Sequence, residues 1–71
     1  MALVMYVKPG CPWCEQQRAR FRAEGVEWAE IDAAADPGAR AELIRLTGGG
    51  RTVPTVVEDG VVVSVGFDGY G

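Results

Sequence analysis

Hydrophobic positions along this chain gather in short runs that glycine and proline separate. Residues 2–7 form an unbroken apolar run, which is typical of a strand buried on both faces of a sheet. Residues 26–31 alternate approximately between apolar and polar positions, as a half-buried strand does. Both segments are therefore predicted to be strands.

The second half of the chain carries a hairpin signal. Two valine-rich runs, Thr55–Glu58 and Val61–Val65, are separated only by Asp59-Gly60. An Asp-Gly pair between such runs is typical of a two-residue turn between antiparallel strands. Pro54 directly precedes the first run, a position that suits proline because it cannot donate to a sheet ladder.

A first helix is predicted over Pro12–Glu24. Proline is well tolerated in the first helical turn, and Gly25 is a typical residue just beyond a helix C-terminus. Helical spacing places Cys14, Gln17 and Phe21 on one face. This apolar stripe is thin, so packing against the rest of the chain must supply most of the stability of the helix.

A second helix is predicted to begin at Asp36-Pro37, an N-cap followed by proline, and to end at the glycines of residues 48–50. Its apolar face comprises Ala39, Leu43, Ile44 and Leu46. The element order is then strand, helix, strand, helix, strand, strand. This order predicts one α/β domain over residues 1–71, with a β-α-β unit followed by a hairpin in a four-stranded mixed sheet.

Composition narrows the class of protein. The 71 residues include two cysteines and no histidine, and the net charge of −3 argues against a nucleic-acid partner. The apolar run before Lys8 is too short for a signal peptide or a membrane span. We therefore expect a cytoplasmic protein with no membrane association, in a compartment where thiols are kept reduced.

The two cysteines are better placed for chemistry than for stability, since a disulfide across so short a loop constrains the unfolded chain little. Cys11 falls at the predicted N-cap, where free backbone N–H groups and the helix dipole favour a thiolate, and Lys8 adds positive charge nearby. Cys14 lies one turn further, within disulfide reach. We predict that Cys11 attacks a substrate disulfide and that Cys14, more buried and with a higher pKa, resolves the product.

Two other interpretations of the pair are weaker. A zinc site needs about four ligands, and the chain has no further cysteine or histidine to offer, so no metal is expected. An inert buried pair is disfavoured by Pro12 and by the position at the start of a helix. A C-x-x-C motif beside a β-α-β pattern indicates redox function.

These residues resemble the glutaredoxin family. Three stretches carry the resemblance: Lys8–Cys14 with the sequence KPGCPWC, residues 46–54 with LTG followed by RTVP, and Gly66-Phe67-Asp68. The resemblance spans nearly the whole chain and implies a thioredoxin-like fold. It also implies an enzyme, a dithiol thiol–disulfide oxidoreductase that uses glutathione as co-substrate.

The resemblance further implies roles for individual residues. Val53-Pro54 is expected to form a cis peptide bond facing Cys11, with the Val53 backbone pairing with an extended substrate such as glutathione. Lys8, Arg51 and Asp68 resemble positions that hold the charged ends of glutathione, and Arg18 is expected to add positive charge. The implied substrate-binding residues are Lys8, Pro12, Trp13, Arg51, Thr52, Val53, Pro54, Gly66, Phe67 and Asp68.

Partners follow from the same resemblance: glutathione, disulfide-containing or glutathionylated proteins, and the glutathione reductase system. Gly66-Phe67 is also reminiscent of redoxins that are reduced by thioredoxin reductase and serve ribonucleotide reductase, so that electron source stays open. A third alternative is a dimer that binds an iron–sulfur cluster through Cys11 and two glutathione molecules, which together supply four thiolates.

Glutaredoxins normally continue into a final helix that covers the sheet beside the first helix, and this sequence ends at Gly71. We therefore expect a version of the fold truncated at its C-terminus. The uncovered face should expose an apolar patch that contains residues of the central strands, and a homodimer through that face is predicted.

Overall fold

The computed structural model describes residues 3–67. Within them, strands and helices follow one another in the predicted order, and their bounds are β1 Leu3–Val7, α1 Pro12–Glu24, β2 Ala29–Asp32, α2 Pro37–Thr47, β3 Thr55–Glu58 and β4 Val61–Val65. No helix in this part of the chain is both long enough and apolar enough to cross a membrane.

The four strands form one mixed sheet in the order β2-β1-β3-β4. β1 pairs in parallel with β2 and antiparallel with β3, and β3 pairs antiparallel with β4 across the Asp59-Gly60 turn. The predicted four-stranded sheet of a thioredoxin-like α/β fold is therefore confirmed. Because β1 is central, the loop after its last residue, Val7, opens between two strands and carries Cys11.

The prediction for β2 was wrong at its beginning. The strand starts at Ala29 and not at residue 26. The Val26 N–H donates to the Phe21 carbonyl at 2.9 Å, so Val26 closes the end of α1. Trp28 then packs its ring against Phe21, with centroids 5.3 Å apart. Val26 and Trp28 therefore contact α1 and do not belong to the strand.

Both helices use the end signals present in the sequence. Cys11 is the N-cap of α1, and Gly25 ends that helix in the left-handed conformation at φ 70°. Asp36 is the N-cap of α2 and accepts hydrogen bonds from the N–H groups of Gly38 and Ala39. The predicted buried face of α1 is confirmed, since Cys14, Gln17 and Phe21 are its buried residues.

The core lies along the two central strands, where Met5, Tyr6, Val7, Val56 and Val57 are buried. The predicted apolar patch on the central strands is therefore wrong for the residues described. The exposed large apolar side chains are instead the alternate valines of edge strand β4, namely Val61, Val63 and Val65, which are 65%, 54% and 46% exposed. The central strands are covered because each presents its side chains to packed neighbours on both faces of the sheet.

Candidate active site

The turn between β1 and α1 places the first cysteine. Gly10 adopts φ 72°, a left-handed conformation that costs glycine little, and this turns the chain from the strand into the helix. Cys11 then takes an extended conformation as N-cap, and Pro12 occupies the first helical turn. The short local sequence is therefore sufficient to aim the Cys11 sulfur at the N-terminus of α1.

The two cysteines interact through the helix cap. The Cys14 N–H donates to Cys11 Sγ at 3.2 Å, and Cys11 Sγ in turn lies 3.9 Å from the Val53 carbonyl oxygen. Both are free thiols, Cys11 4% exposed and Cys14 fully buried. A hydrogen bond from a backbone N–H to sulfur favours the charged form of a thiol, so the start of α1 is a favourable place for a nucleophilic cysteine.

Cys14 is held in its protonated form. Burial in the core, together with a hydrogen bond to Cys11, raises the pKa of Cys14 to about 12, and the Lys8 backbone and the Arg18 charge oppose this only in part. The predictions that Cys14 is the more buried cysteine and that its pKa is raised are confirmed.

A second loop meets the cysteines from the far half of the chain. The Val53–Pro54 peptide bond is cis, the geometry that the resemblance implied, and both residues are buried. The Thr55 hydroxyl donates to the Thr52 carbonyl at 2.7 Å, and the Gly66 N–H donates to the Pro54 carbonyl at 2.7 Å. Gly66 therefore supports this loop from the end of β4.

A basic groove lies beside this loop. The groove encloses about 270 Å³ and is lined by Lys8, Arg40, Arg51 and Val53, together with Ala33, Ala34 and Leu43. Three of the seven basic residues of the chain meet here, although the chain as a whole is acidic. Among residues 3–67, none of these three cations takes part in an ion pair. Their charges remain available to an anionic ligand.

Arg40 is the groove residue that the sequence did not reveal. It lies in the first half of α2, on a helix whose surface carries other charges, and no motif distinguishes it from Arg45. Only the packing of α2 brings Arg40 beside Lys8, which is 32 positions earlier in the chain, and Arg51, which is 11 positions later.

A separate groove of about 560 Å³ opens on the helix side of Cys11 and is lined by Lys8, Pro9, Gly10, Cys11, Pro12, Glu15 and Arg18. Arg18 does not join the basic groove, which corrects the expectation made for it. Its guanidinium binds both oxygens of Glu30, at 2.6 and 2.8 Å, and also pairs with Glu15. Arg18 is therefore held by ion pairs within the protein and does not line the basic groove.

The other predicted site residues have different positions. Trp13 is partly buried and packs against the core, and Thr52 is partly buried in the loop before Pro54. Phe67 lies against α1, where the Arg20 guanidinium sits 4.3 Å from its ring centroid. Neither Gly66 nor Phe67 lines the two grooves. Asp68 falls outside the described residues.

Thr47, which the sequence analysis did not assign to the site, organises the loop that carries Arg51. Its hydroxyl lies 2.7 Å from the Gly50 carbonyl and 2.9 Å from the Leu43 carbonyl, and it accepts the Gly50 N–H at 3.0 Å. The intervening Gly48 and Gly49 both have positive φ, and the Gly49 N–H donates to the Ile44 carbonyl at 2.8 Å, so the Thr47 contacts extend the cap of α2 into the loop. The signal for this role, a threonine before three glycines, was present in the sequence.

Within residues 3–67, no group of three or more histidine, cysteine, aspartate or glutamate side chains is arranged to hold a metal ion. The site described is therefore a pair of thiols between a basic groove and a groove of mixed charge. Such a pair can exchange disulfides by nucleophilic attack without further groups.

The family model and the solved structures that match this chain both point to glutaredoxins. The glutaredoxin family model matches residues 3–63. No curated protein sequence matches the chain. Among solved structures, glutaredoxin from Brucella melitensis is 34% identical and superposes with a TM-score of 0.74, over 92% of this chain and 70% of that one.

Two further structures are similar. A thioredoxin-like protein is 32% identical with a TM-score of 0.73, over 87% of this chain and 84% of that one. The buckwheat glutaredoxin–glutathione complex is 28% identical with a TM-score of 0.73, over 90% of this chain and 59% of that one. The family model covers most of the chain and the fold agrees with it, so this chain belongs to the glutaredoxin family.

Proposed function

We propose that this protein is a glutathione-dependent thiol–disulfide oxidoreductase, in which Cys11 is the nucleophile and Cys14 the resolving cysteine. The observation that carries the proposal is the position of Cys11. Its sulfur accepts a backbone N–H at the start of α1 and lies 3.9 Å from the carbonyl oxygen of Val53, a residue that lines the basic groove, whose three cations form no ion pair within residues 3–67. The groove and the thiol share Lys8 as a common wall.

The first step is attack of the Cys11 thiolate on one sulfur of a substrate disulfide. The substrate S–S bond breaks, a mixed disulfide forms on Cys11, and the leaving sulfur takes a proton from solvent. With a glutathionylated protein, the protein thiol leaves and glutathione stays on Cys11. A second glutathione thiolate then attacks the glutathione sulfur of this mixed disulfide. The bond to Cys11 Sγ breaks, oxidised glutathione leaves, and Cys11 returns to its thiolate.

A protein disulfide needs the second cysteine. After Cys11 has formed the mixed disulfide, Cys14 attacks Cys11 Sγ, the reduced substrate leaves, and a Cys11–Cys14 disulfide forms. Two glutathione molecules then return the pair to its dithiol form. The separation of the two cysteines by one helical turn is compatible with this disulfide.

The basic groove supports glutathione as the co-substrate. Glutathione is an extended peptide with two carboxylates, and Lys8, Arg40 and Arg51 offer three cations at one side of Val53. Charge-assisted hydrogen bonds from arginine to a carboxylate are among the stronger polar contacts in proteins. The buckwheat glutaredoxin that this chain resembles was crystallised as a complex with glutathione. A cytoplasmic location belongs to the same proposal, because that compartment maintains a glutathione pool.

The test is a paired assay of NADPH consumption with the same purified protein. One arm contains glutathione, glutathione reductase and a small glutathione mixed disulfide. The other arm contains thioredoxin reductase and a protein disulfide. Turnover in the first arm is the expected result.

Turnover confined to the second arm contradicts the proposal and assigns the chain to the redoxins that thioredoxin reductase reduces, as the Gly66-Phe67 pair allowed. No turnover in either arm, together with visible absorption of the anaerobically purified protein, points to the iron–sulfur-binding dimer instead. Heat-inactivated protein in both arms provides the background rate.

The predicted homodimer stays a prediction. β4 is an edge strand with three exposed valines, and exposed apolar side chains on an edge favour association. Sedimentation velocity over a concentration series tests it. A single monomer species at the highest concentration contradicts it.

A further inference from the structure

Arg18 is more tightly held than a surface arginine ordinarily is. Its Nε and Nη2 atoms bind the two oxygens of Glu30 at 2.6 and 2.8 Å, a bidentate arrangement that fixes the plane of the guanidinium. Its side chain is only 18% exposed, and that of Glu30 is 31% exposed. Because α1 carries Arg18 and β2 carries Glu30, this pair links the helix of the cysteines to the edge of the sheet.

Glu30 is itself fixed by a further contact. Trp28 Nε1 donates to Glu30 at 2.8 Å, and the Trp28 ring packs against Phe21 on the buried face of α1. Glu30 thus accepts from two donors that lie on different elements. The hydrogen bonds to Arg18 and Trp28 lower the pKa of Glu30, so the carboxylate that holds Arg18 is ionised at neutral pH.

The position of Arg18 along α1 places it next to Cys14. The two residues are four positions apart, and side chains at this spacing are neighbours on a helix surface. Cys14 is fully buried, yet it must lose its proton before it can resolve a mixed disulfide. A cation fixed one turn away lowers the cost of that ionisation.

We propose that Arg18, held in place by Glu30, is a positioning residue that stabilises the Cys14 thiolate and thereby accelerates resolution of the mixed disulfide. The inference rests on the proposed thiol–disulfide exchange and concerns its second step. Arg18 takes no part in bond making. The Cys14 thiolate attacks Cys11 Sγ, the bond between Cys11 and the substrate sulfur breaks, and the substrate thiolate takes up a proton from solvent.

The charged and titratable groups around Cys14 come from three elements. Cys11 and Lys8 lie at the start of α1 and in the loop before it, and Arg18 lies on α1 itself. Glu15 on α1 and Glu30 on β2 both bind the Arg18 guanidinium. Arg18 is therefore the positive side chain in this set that is both fixed by ion pairs and one helical turn from Cys14.

The size of the effect follows from two opposing trends. If loss of the Arg18 charge raises the pKa of Cys14 by about one unit, the thiolate fraction near neutral pH falls about tenfold. The more basic thiolate is also a better nucleophile, with a Brønsted coefficient of about 0.4–0.5, which recovers about threefold. We therefore expect resolution to slow by about threefold for each pKa unit.

The experiment uses reduced protein and excess dithiodipyridine, an uncharged aromatic disulfide that releases a chromophoric thione. The first release reports attack by Cys11 and depends on reagent concentration. The second release reports attack by Cys14 on the mixed disulfide and is independent of reagent concentration. Stopped-flow absorbance measures both phases in the same sample over a range of pH.

Arg18→Gln should slow the second phase about three- to tenfold relative to the first, and should displace its pH profile to higher pH. Arg18→Lys keeps the charge without the bidentate contact and should recover part of the rate. Arg22→Gln, the same charge change one turn further along α1, is the matched control and should leave the ratio of the two phases unchanged.

An unchanged second phase in Arg18→Gln overturns the inference, and so does an equal slowing in Arg22→Gln. Uniform slowing of both phases without a displaced pH profile also overturns it, because that result indicates a structural role alone. Failure of the wild-type protein to show the first phase contradicts the proposed function instead, so the two failures are distinguishable.

Discussion

The two grooves that meet at Lys8 use arginine in opposite ways. In the basic groove, Arg40 and Arg51 have no ion pair with any residue in the range 3–67 and are directed to a space of about 270 Å³. On the helix side of Cys11, Arg18 is bound by two carboxylates. The same side chain is thus left available for a ligand in one groove and held as part of the structure in the other.

Under the proposed function, this difference distinguishes the arginines that bind glutathione from the arginine that assists thiol–disulfide exchange. Unpaired cations attract an anion but are individually mobile, so each contributes modestly. A guanidinium fixed by a bidentate contact has lost that mobility already and keeps its charge in one place, one helical turn from Cys14. Mutations in the basic groove should therefore change KM, whereas mutations of the residues held by ion pairs should change reaction steps or stability. Four predictions, in order of decreasing effect, test this comparison.

The largest effect is expected from Cys11, which lines the groove on the helix side and lies next to Val53 of the basic groove. Cys11→Ser removes the nucleophile and should reduce every activity by at least about a thousandfold. Cys14→Ser should retain reduction of glutathione mixed disulfides and lose dithiol reduction of protein disulfides. The paired NADPH assay measures both. If Cys14→Ser is as inactive as Cys11→Ser toward a small glutathione mixed disulfide, the glutathione mechanism is wrong.

The basic groove should control binding. Arg40→Gln and Arg51→Gln should each raise the KM for a glutathione mixed disulfide about three- to tenfold, corresponding to about 0.7–1.4 kcal/mol, with little change in kcat. The effect should diminish as salt is added. Arg45→Gln is the matched control, since Arg45 lies on the same helix but pairs with Glu42. An equal rise in KM for Arg45→Gln means that net charge, not the groove, is responsible.

The loop that positions Arg51 should show a smaller effect. Thr47→Val keeps the shape of the side chain and removes the hydroxyl that contacts Gly50. We expect a loss of about 1 kcal/mol in the free energy of unfolding, measured by urea denaturation, and a rise in KM of about twofold. Thr47→Ser restores the hydroxyl and should restore both values. A wild-type KM in a destabilised Thr47→Val variant means that the loop does not depend on this contact.

The smallest effect is expected from Glu30, the carboxylate that holds Arg18, and it concerns the pH dependence of stability. The hydrogen bonds to Glu30 lower its pKa in the folded protein, so they stabilise the fold above the unfolded pKa of about 4.3, and this stability is lost as the pH falls through the lower folded value. The free energy of unfolding falls as the pH drops below about 4.3, and in Glu30→Gln this decrease should be smaller than in the wild type by less than about 1 kcal/mol. Exposed Glu27→Gln is the control. Identical acid profiles for the wild type and Glu30→Gln contradict the assignment.

Much of the fold could be predicted because its signals are local. Asp36-Pro37 starts α2, Asp59-Gly60 turns the hairpin, and Pro12 starts α1, each through backbone preferences that act over a few residues. The beginning of β2 could not be predicted in this way. Val26 closes a helix and Trp28 packs on it, and an alternating pattern does not distinguish these contacts from a strand.

In the candidate site, too, some features follow from local sequence and others depend on tertiary packing. The sequence by itself determined that Cys11 stands at a helix N-terminus with Cys14 one turn beyond, because both positions follow from the short segment around Pro12. Only the tertiary structure decided that Val53, 42 positions away, faces Cys11, that Arg40 joins the basic groove, and that Arg18 is held by Glu30. Backbone preferences act over a few residues, whereas these contacts depend on how whole elements pack across the sheet.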